Sequence, residues 1–191
     1  MAIGVSLLLF SSSYAMLRIV VYIDGSCKGN PGPGGWGVFI PDVGVKLHGH
    51  VAQTTNNRME LQAAIEAVRE MQRGFFEIIS DSQYVISGIT QWMATWIKNG
   101  FKTSKNKPVE NADLWMELRS LLRKPGIDIE WTKVAGHSGI PGNEEADKLA
   151  SGRCCHLGCV APRVRTEEAV DDWDEDAPVS FTHVDLWPGD A

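Results

Sequence analysis

Asp24, Glu60, Asp81 and Asp147 have side chains that could do chemistry, and each lies at the edge of a segment that reads as ordered. Asp24 follows the apolar, β-branched run "RIVVYI", and a patch dense in glycine and proline, "GSCKGNPGPGGWG", comes next. Glu60 stands early in a helical repeat within "TTNNRMEL". Asp81 directly follows the short apolar run "FFEIIS", and Asp147 falls inside "GNEEADKLA". Carboxylates brought together repel one another and resist burial unless a cation neutralises them. Their oxygens suit a hard divalent ion such as Mg²⁺ or Mn²⁺. A pair of such ions ~4 Å apart can activate a water and stabilise a leaving oxygen at a phosphodiester. Read singly, Asp81 serves equally well as a helix N-cap, and Asp147 as a solvated helix residue.

The elements that would position these acids can be read from periodicity. "RIVVYIDG", "GGWGVFI" and "VKLHGHVAQ" are expected to be three strands, with Pro41–Gly44 turning between the second and third. Apolar residues recur at helical spacing from Met59 to Met71, and "FFEIIS" reads as a fourth strand. Helices are expected over Ser82–Gly88, over "TQWMATWIKNG" and over "PVENADLWMELRSLLRK". "IDIEWTKV" is a fifth strand, and "NEEADKLASG" a last helix with Asn143 as its N-cap and Gly152 as its stop. Five strands with crossover helices imply an α/β layered domain. Open α/β sheets bind ligands at their strand ends, and the acids are placed there.

The 191 residues and a net charge of -6 hide a sharp division. Nine acidic residues and no Lys or Arg occupy Glu167–Ala191, whereas Met16–Arg153 holds 16 basic and 15 acidic residues. The body is therefore near neutral, and charge must be read by region. Residues 1–15 form an apolar stretch too short to span a bilayer and without a basic residue ahead of it. They are expected to be a disordered or misassigned leader, with export or a packed extension as alternatives. Residues 154–191 are expected to be an acidic, disordered tail. Its Trp173, Phe181 and Trp187 leave open a protein partner or a fold-back onto the body. Cys27 and the cluster Cys154, Cys155 and Cys159 do not form a disulfide framework, which favours a reduced, cytoplasmic setting. "CCHLGC" has an atypical spacing for zinc and reads as incidental. His48 and His50, two apart on a strand, read as exposed residues rather than ligands.

Four motifs together resemble the type 1, bacterial-style ribonuclease H family: "DGSCKGNPGPGGWG", "TTNNRMEL", "SDSQYV" and "GHSGIPGNEEADKLA". The resemblance covers about Met16 to Arg153. It implies a ribonuclease H-like three-layer fold, with a five-stranded mixed sheet and helices on both faces. It implies an endonuclease that hydrolyses the RNA strand of RNA/DNA hybrids, leaving 5′-phosphate and 3′-hydroxyl ends. Asp24, Glu60, Asp81 and Asp147 match the family's ligands for two Mg²⁺ ions, with Mn²⁺ as a substitute. His137, in a glycine-rich loop, matches a mobile histidine that relays a proton or assists product release.

The same resemblance assigns substrate contacts. Cys27, Asn30, Asn56 and Gln83 match residues in the hybrid's minor groove, and Thr54 matches one that holds a DNA-strand phosphate. Hydrogen bonds to a 2′-hydroxyl let such a site tell RNA from DNA. Trp92, Trp96, Lys98, Lys105 and Lys107, with Lys102, match a basic protrusion that grips the DNA strand. Ala135 stands where some relatives place lysine, so hybrid affinity is expected to be modest. The glycines around Asp24 are expected to leave room for a phosphate-bound ion. Arg58 is read chiefly as a support for its loop. A non-catalytic hybrid-binding module, and a nuclease with another duplex specificity, are the competing classes. The implied partner is an RNA/DNA hybrid, with no membrane role, and a monomer suffices.

Overall fold

The computed structural model describes residues 18–153. Expectations about the leader and about the tail, with its cysteines and aromatic residues, lie outside the described residues. The strands are β1 (Arg18–Cys27), β2 (Gly32–Ile40), β3 (Val45–Thr54), β4 (Gly74–Ser80) and β5 (Ile127–Lys133). The helices are α1 (Asn56–Glu70), α2 (Gln83–Ser87), α3 (Met93–Lys98), α4 (Ala112–Leu122) and α5 (Pro141–Ala150). The strands form one sheet in the order β3-β2-β1-β4-β5. β1 pairs antiparallel with β2 and parallel with β4, so the sheet is mixed, as expected.

Alternation along β1 decides the layers. Val21 and Ile23 are fully buried beside Leu61 and Ile65 of α1, Ile78 of β4 and Trp131 of β5. Trp115 and Leu118 of α4 close the same core from outside. At about 25 cal/mol for each Å² of apolar surface removed from water, this cluster supplies most of the favourable folding energy. Tyr22, on the opposite face, meets the first turn of α5, where a Cβ on Gly142 would sit 2.2 Å from the Tyr22 ring. Among the described residues no helix is long and apolar enough to cross a membrane.

Three local expectations need correction. Asp24 does not end its strand: β1 runs on to Cys27, still paired with β2. The two helices expected over Ser82–Gly100 are one path, because a π-helical turn at Gly88–Trp92 joins α2 to α3. The Trp115 ring fills the space beside Gly88, where a Cβ would lie 2.1 Å from it. Asn143 does not cap α5: the cap position is Ile140, and Asn143 is 4% exposed inside the first turn.

The glycines also serve a different purpose from the one expected. A Cβ on Gly25 would lie 2.1 Å from the backbone N of Glu60, and one on Gly37 2.4 Å from the carbonyl O of Ala146. The missing side chains admit two helix backbones, rather than a ligand, to the surface of the sheet. Those helices carry Glu60 and Asp147. Gly25→Ala should therefore cost about 3 kcal/mol or more, at the upper end of overpacking, because the obstructing atoms are backbone. Urea unfolding checks this, and a midpoint shift equivalent to less than about 1 kcal/mol (about one fifth of a typical folding free energy at most) would contradict the packing described.

Candidate active site

β1 and β4 are parallel, and their last paired residues are Tyr22 and Ile79. Asp24 and Asp81 each stand two positions beyond that rung, on neighbouring strands. Ser80 ends β4, and the chain turns into α2 with Ser82 as N-cap. Glu60 comes down onto the same region from α1, whose own N-cap is Thr55 accepting from the Arg58 backbone N–H. Asp147 arrives from the second turn of α5, across the sheet from α1.

Asp24 registers the field of the other three. Its carboxyl is pushed up to about 8, first by burial, then by the charge of Asp81, with Asp147 and Glu60 adding to it. The Gly25 backbone N–H, donating to Asp24 Oδ1 at 2.8 Å, opposes the rise without cancelling it. Glu60 is also raised, chiefly by burial and then by Asp81, while hydrogen bonds from Ser82 and Asn56 hold it back. The four acids thus form one electrostatic unit.

Each acid is also held by a separate donor. Glu60 accepts from Asn56 Nδ2 at 2.8 Å and from Ser82 Oγ at 2.5 Å. Asp81 Oδ2 accepts from Asn143 Nδ2 at 3.2 Å, and Asp147 Oδ2 from Arg153 Nη2 at 2.8 Å. No three His, Cys, Asp or Glu side chains among the described residues converge closely enough to enclose one ion. The donor set nonetheless fits a hard divalent cation. All four donors are carboxylate oxygens, and a positive charge relieves the repulsion that Asp24 reports. Mg²⁺ keeps several waters and needs only one or two carboxylates directly.

The remaining sequence expectations divide. Asn30 Oδ1 accepts from the Asn56 backbone N–H at 3.1 Å, so the glycine-rich turn and the start of α1 are tied together. Cys27 Sγ lies 3.3 to 3.5 Å from the carbonyls of Gly29, Gly32 and Thr54, a structural tether beside that pair. Gln83 is exposed at the start of α2 and donates to Ser87 Oγ at 2.6 Å. Thr54, expected at a phosphate, is only 6% exposed at the end of β3. His137 is exposed with φ +52°. Its loop begins beside Asp81, since a Cβ on Gly136 would lie 3.1 Å from Asp81 Oδ2. His50 is exposed as expected, but His48 is half-buried.

Away from the acids, α3 and the following loop present Lys98, Lys102, Lys105 and Lys107 to solvent. None of the four makes an ion pair among the described residues. The loop is closed by the Lys102–Pro108 bridge and by the buried Phe101. Trp96 packs between Trp92 and Trp115 with ring centroids 5.6 and 5.3 Å away, and Trp92 is 37% exposed at the edge of the cluster. Arg58 supports its loop as expected, binding Asp113 at 2.7 and 3.1 Å and Asn111 at 3.3 Å.

Reading the sequence missed Ser82, Asn143 and Arg153. Ser82 looks like an ordinary cap, and one hydroxyl serves both the cap and Glu60. Asn143 precedes Asp147 by one helical turn, a spacing that places both on one side of α5. No pattern marks Arg153.

Comparison with known proteins gives the family. The family model described as RNase H matches residues 17–154. A protein named Ribonuclease H from Marinobacter nauticus is 54% identical over 137 residues, covering 70% of this chain and 92% of the relative. One of the same name from Alcanivorax borkumensis is 49% identical over 139 residues, covering 71% and 91%. The crystal structure of LC9-RNase H1, described as a type 1 RNase H with the type 2 active-site motif, superposes with a TM-score of 0.60. It is 35% identical and covers 73% of this chain and 72% of its own.

The raised Asp24 carboxyl sets the pH dependence of stability. Its ordinary value is 3.8 and its folded value about 8, so the folded state keeps a proton that the unfolded chain has lost. That stabilising difference is complete below about pH 4 and disappears as pH rises through 8, at about 1.4 kcal/mol per pH unit. Asp24→Asn lacks it. Metal-free wild-type protein should lose stability relative to Asp24→Asn between about pH 4.5 and 8, followed by thermal or urea unfolding. A stability difference that stays flat across that range would show that the Asp24 carboxyl is not raised in the folded protein.

Proposed function

The chain belongs to the RNase H family, and on that premise we propose that its four carboxylates bind two Mg²⁺ ions and cleave the RNA strand of RNA/DNA hybrids. The observation that carries this reading is that Asp24 and Asp81 lie level on adjacent strands, with Glu60 brought in from α1 and Asp147 from α5, so that all three other acids raise the buried Asp24 carboxyl. A fold with no cation to bind would gain by replacing such a residue.

Asp24 and Asp81, level with each other on adjacent strands, would hold the ions most directly. Glu60, its two oxygens fixed by Ser82 and Asn56, would join them from α1, and Asp147, held by Arg153, would complete the set from α5. When bound, the ions supply the charge that activates a water for in-line attack and offsets the charge on the leaving oxygen. The phosphorus–O3′ bond breaks, leaving 5′-phosphate and 3′-hydroxyl ends. His137, on its exposed loop, moves a proton or eases product departure. Mn²⁺ satisfies the same oxygen donors.

Asn30, Asn56 and Gln83, matched by the family resemblance to substrate contacts, would hydrogen-bond the RNA strand's 2′-hydroxyls. Cys27 shapes the turn beside them. Lys98, Lys102, Lys105 and Lys107 hold the DNA strand's phosphates while the Trp92 and Trp96 rings stiffen the element beneath. One chain carries every part of this site, so a monomer acting in the cytoplasm is sufficient.

Matched hybrid, RNA duplex and DNA duplex should be presented with Mg²⁺ and again with chelator. Only the hybrid should be cut, and only with metal; equal cutting of the RNA duplex would overturn the specificity. Within that assay, Asp24→Asn should lose nearly all cleavage while retaining fold and hybrid binding. Asp147→Asn should be milder, and His137→Ala should slow turnover without abolishing it. Near wild-type cleavage by Asp24→Asn would remove the metal-ion assignment.

Replacing Lys98, Lys102, Lys105 and Lys107 together by Ala should weaken hybrid binding and flatten its dependence on salt. The slope of log K against log salt should fall by up to about 0.9 for each phosphate that a lysine no longer neutralises. An unchanged slope would place the DNA strand elsewhere.

A further inference from the structure

Asn143 stands apart from every role assigned so far. It is 4% exposed, in the first turn of α5, and its side chain does not cap the helix. Its Nδ2 donates to Asp81 Oδ2 at 3.2 Å. A carboxylate only accepts, so the amide can face Asp81 in one orientation, nitrogen first. The carbonyl Oδ1 must then point elsewhere. It is buried, and among the described residues no donor reaches it.

A buried acceptor without a donor loses its hydration without replacement and so destabilises the fold. Natural cores hold few such groups, and those that occur call for an explanation such as a catalytic role or an ordered water. Leucine would fill the same space without an orphan. What leucine would not do is restrain Asp81. Asp81 Oδ2 is approached closely by Gly136, where a Cβ would lie 3.1 Å away, and accepts the Asn143 hydrogen bond. The Gly142 contact with the Tyr22 ring draws the first turn of α5 onto the sheet and makes this reach possible.

We propose that Asn143 is a positioning residue for the metal site: its Nδ2–H fixes the Asp81 carboxylate, and its Oδ1 accepts a hydrogen bond from a water that enters with the hydrated cation. The inference rests on the metal-ion reading of the four acids. It explains why an orphan is kept, since a hydrated ion brings the missing donor. Groups that orient a metal's ligands without touching the metal typically change affinity or activity by about 10–100-fold when removed.

The test uses the full chain, with Mn²⁺ as the spectroscopic probe and Mg²⁺ for turnover. Wild type, Asn143→Ala and Asn143→Asp are compared by Mn²⁺ binding, by kcat and KM on a hybrid, and by melting temperature. Asn143→Ala should bind Mn²⁺ about 10-fold more weakly and lose kcat by a similar factor. Its KM for the hybrid should stay within about two-fold of wild type, because a positioning group of this kind acts on the metal rather than on substrate binding. Asn143→Asp keeps the size, removes the donor and adds a charge, so it covers the case in which the alanine variant does not fold. It should lose cleavage while gaining no Mn²⁺ affinity. Folded variants with wild-type Mn²⁺ affinity and kcat, altered only in melting temperature, would reduce Asn143 to a packing residue and overturn the proposal. Failure of wild type itself to bind Mn²⁺ or cut the hybrid would instead overturn the metal-ion reading.

Discussion

Two helix backbones rest directly on the sheet because the strands present no side chain at the points of contact. Gly25 under α1 and Gly37 under α5 leave only 2.1 and 2.4 Å between a would-be Cβ and the helix main chain. The rest of the site depends on this contact. It brings Glu60 and Asp147 from opposite faces of the sheet to the level of Asp24. With ordinary side chains at those positions the helices would stand off, and the acids would be solvated surface groups of little electrostatic consequence.

Closeness has an energetic counterpart. Four carboxylates near one another oppose folding at neutral pH, and local donors offset part of that cost. Gly25, Asn56, Ser82, Asn143 and Arg153 each supply hydrogen bonds to one acid. Hydrogen bonds of this kind favour the charged form. They lower the burden on Glu60 but leave Asp24, with a single backbone donor, as the group that carries it.

The acids were legible in the sequence because their type and their position at element edges carry the signal, and the four matching motifs added family context. The layered sheet followed from periodicity. What local pattern could not show is which neighbour fills a space. The glycines beside Asp24 announce an absent side chain, yet only the fold reveals that helix backbone rather than ligand occupies the gap. Asn143 obeys the statistics of a cap residue in a segment that begins with Pro141, and its burial follows from how α5 docks on Tyr22. Thr54 is buried because β3 ends beneath the turn that holds Cys27. Gly88, where the π-turn begins, makes room for the Trp115 ring, 27 positions further along the chain.

The shared rung between Tyr22 and Ile79 makes the backbone a ruler. Because Asp24 and Asp81 each lie two residues past it, their separation is set by strand spacing and pleat, not by rotamer preference. Inserting or deleting one residue between rung and acid would turn that carboxylate to the other face of the sheet. The chain is therefore tolerant of changed length in the lysine-bearing loop, which hangs outside the ladder. It is intolerant of any change of length in Tyr22–Asp24 or Ile79–Asp81. Redesign of substrate grip and preservation of the reacting centre are thereby separated into different parts of the polypeptide.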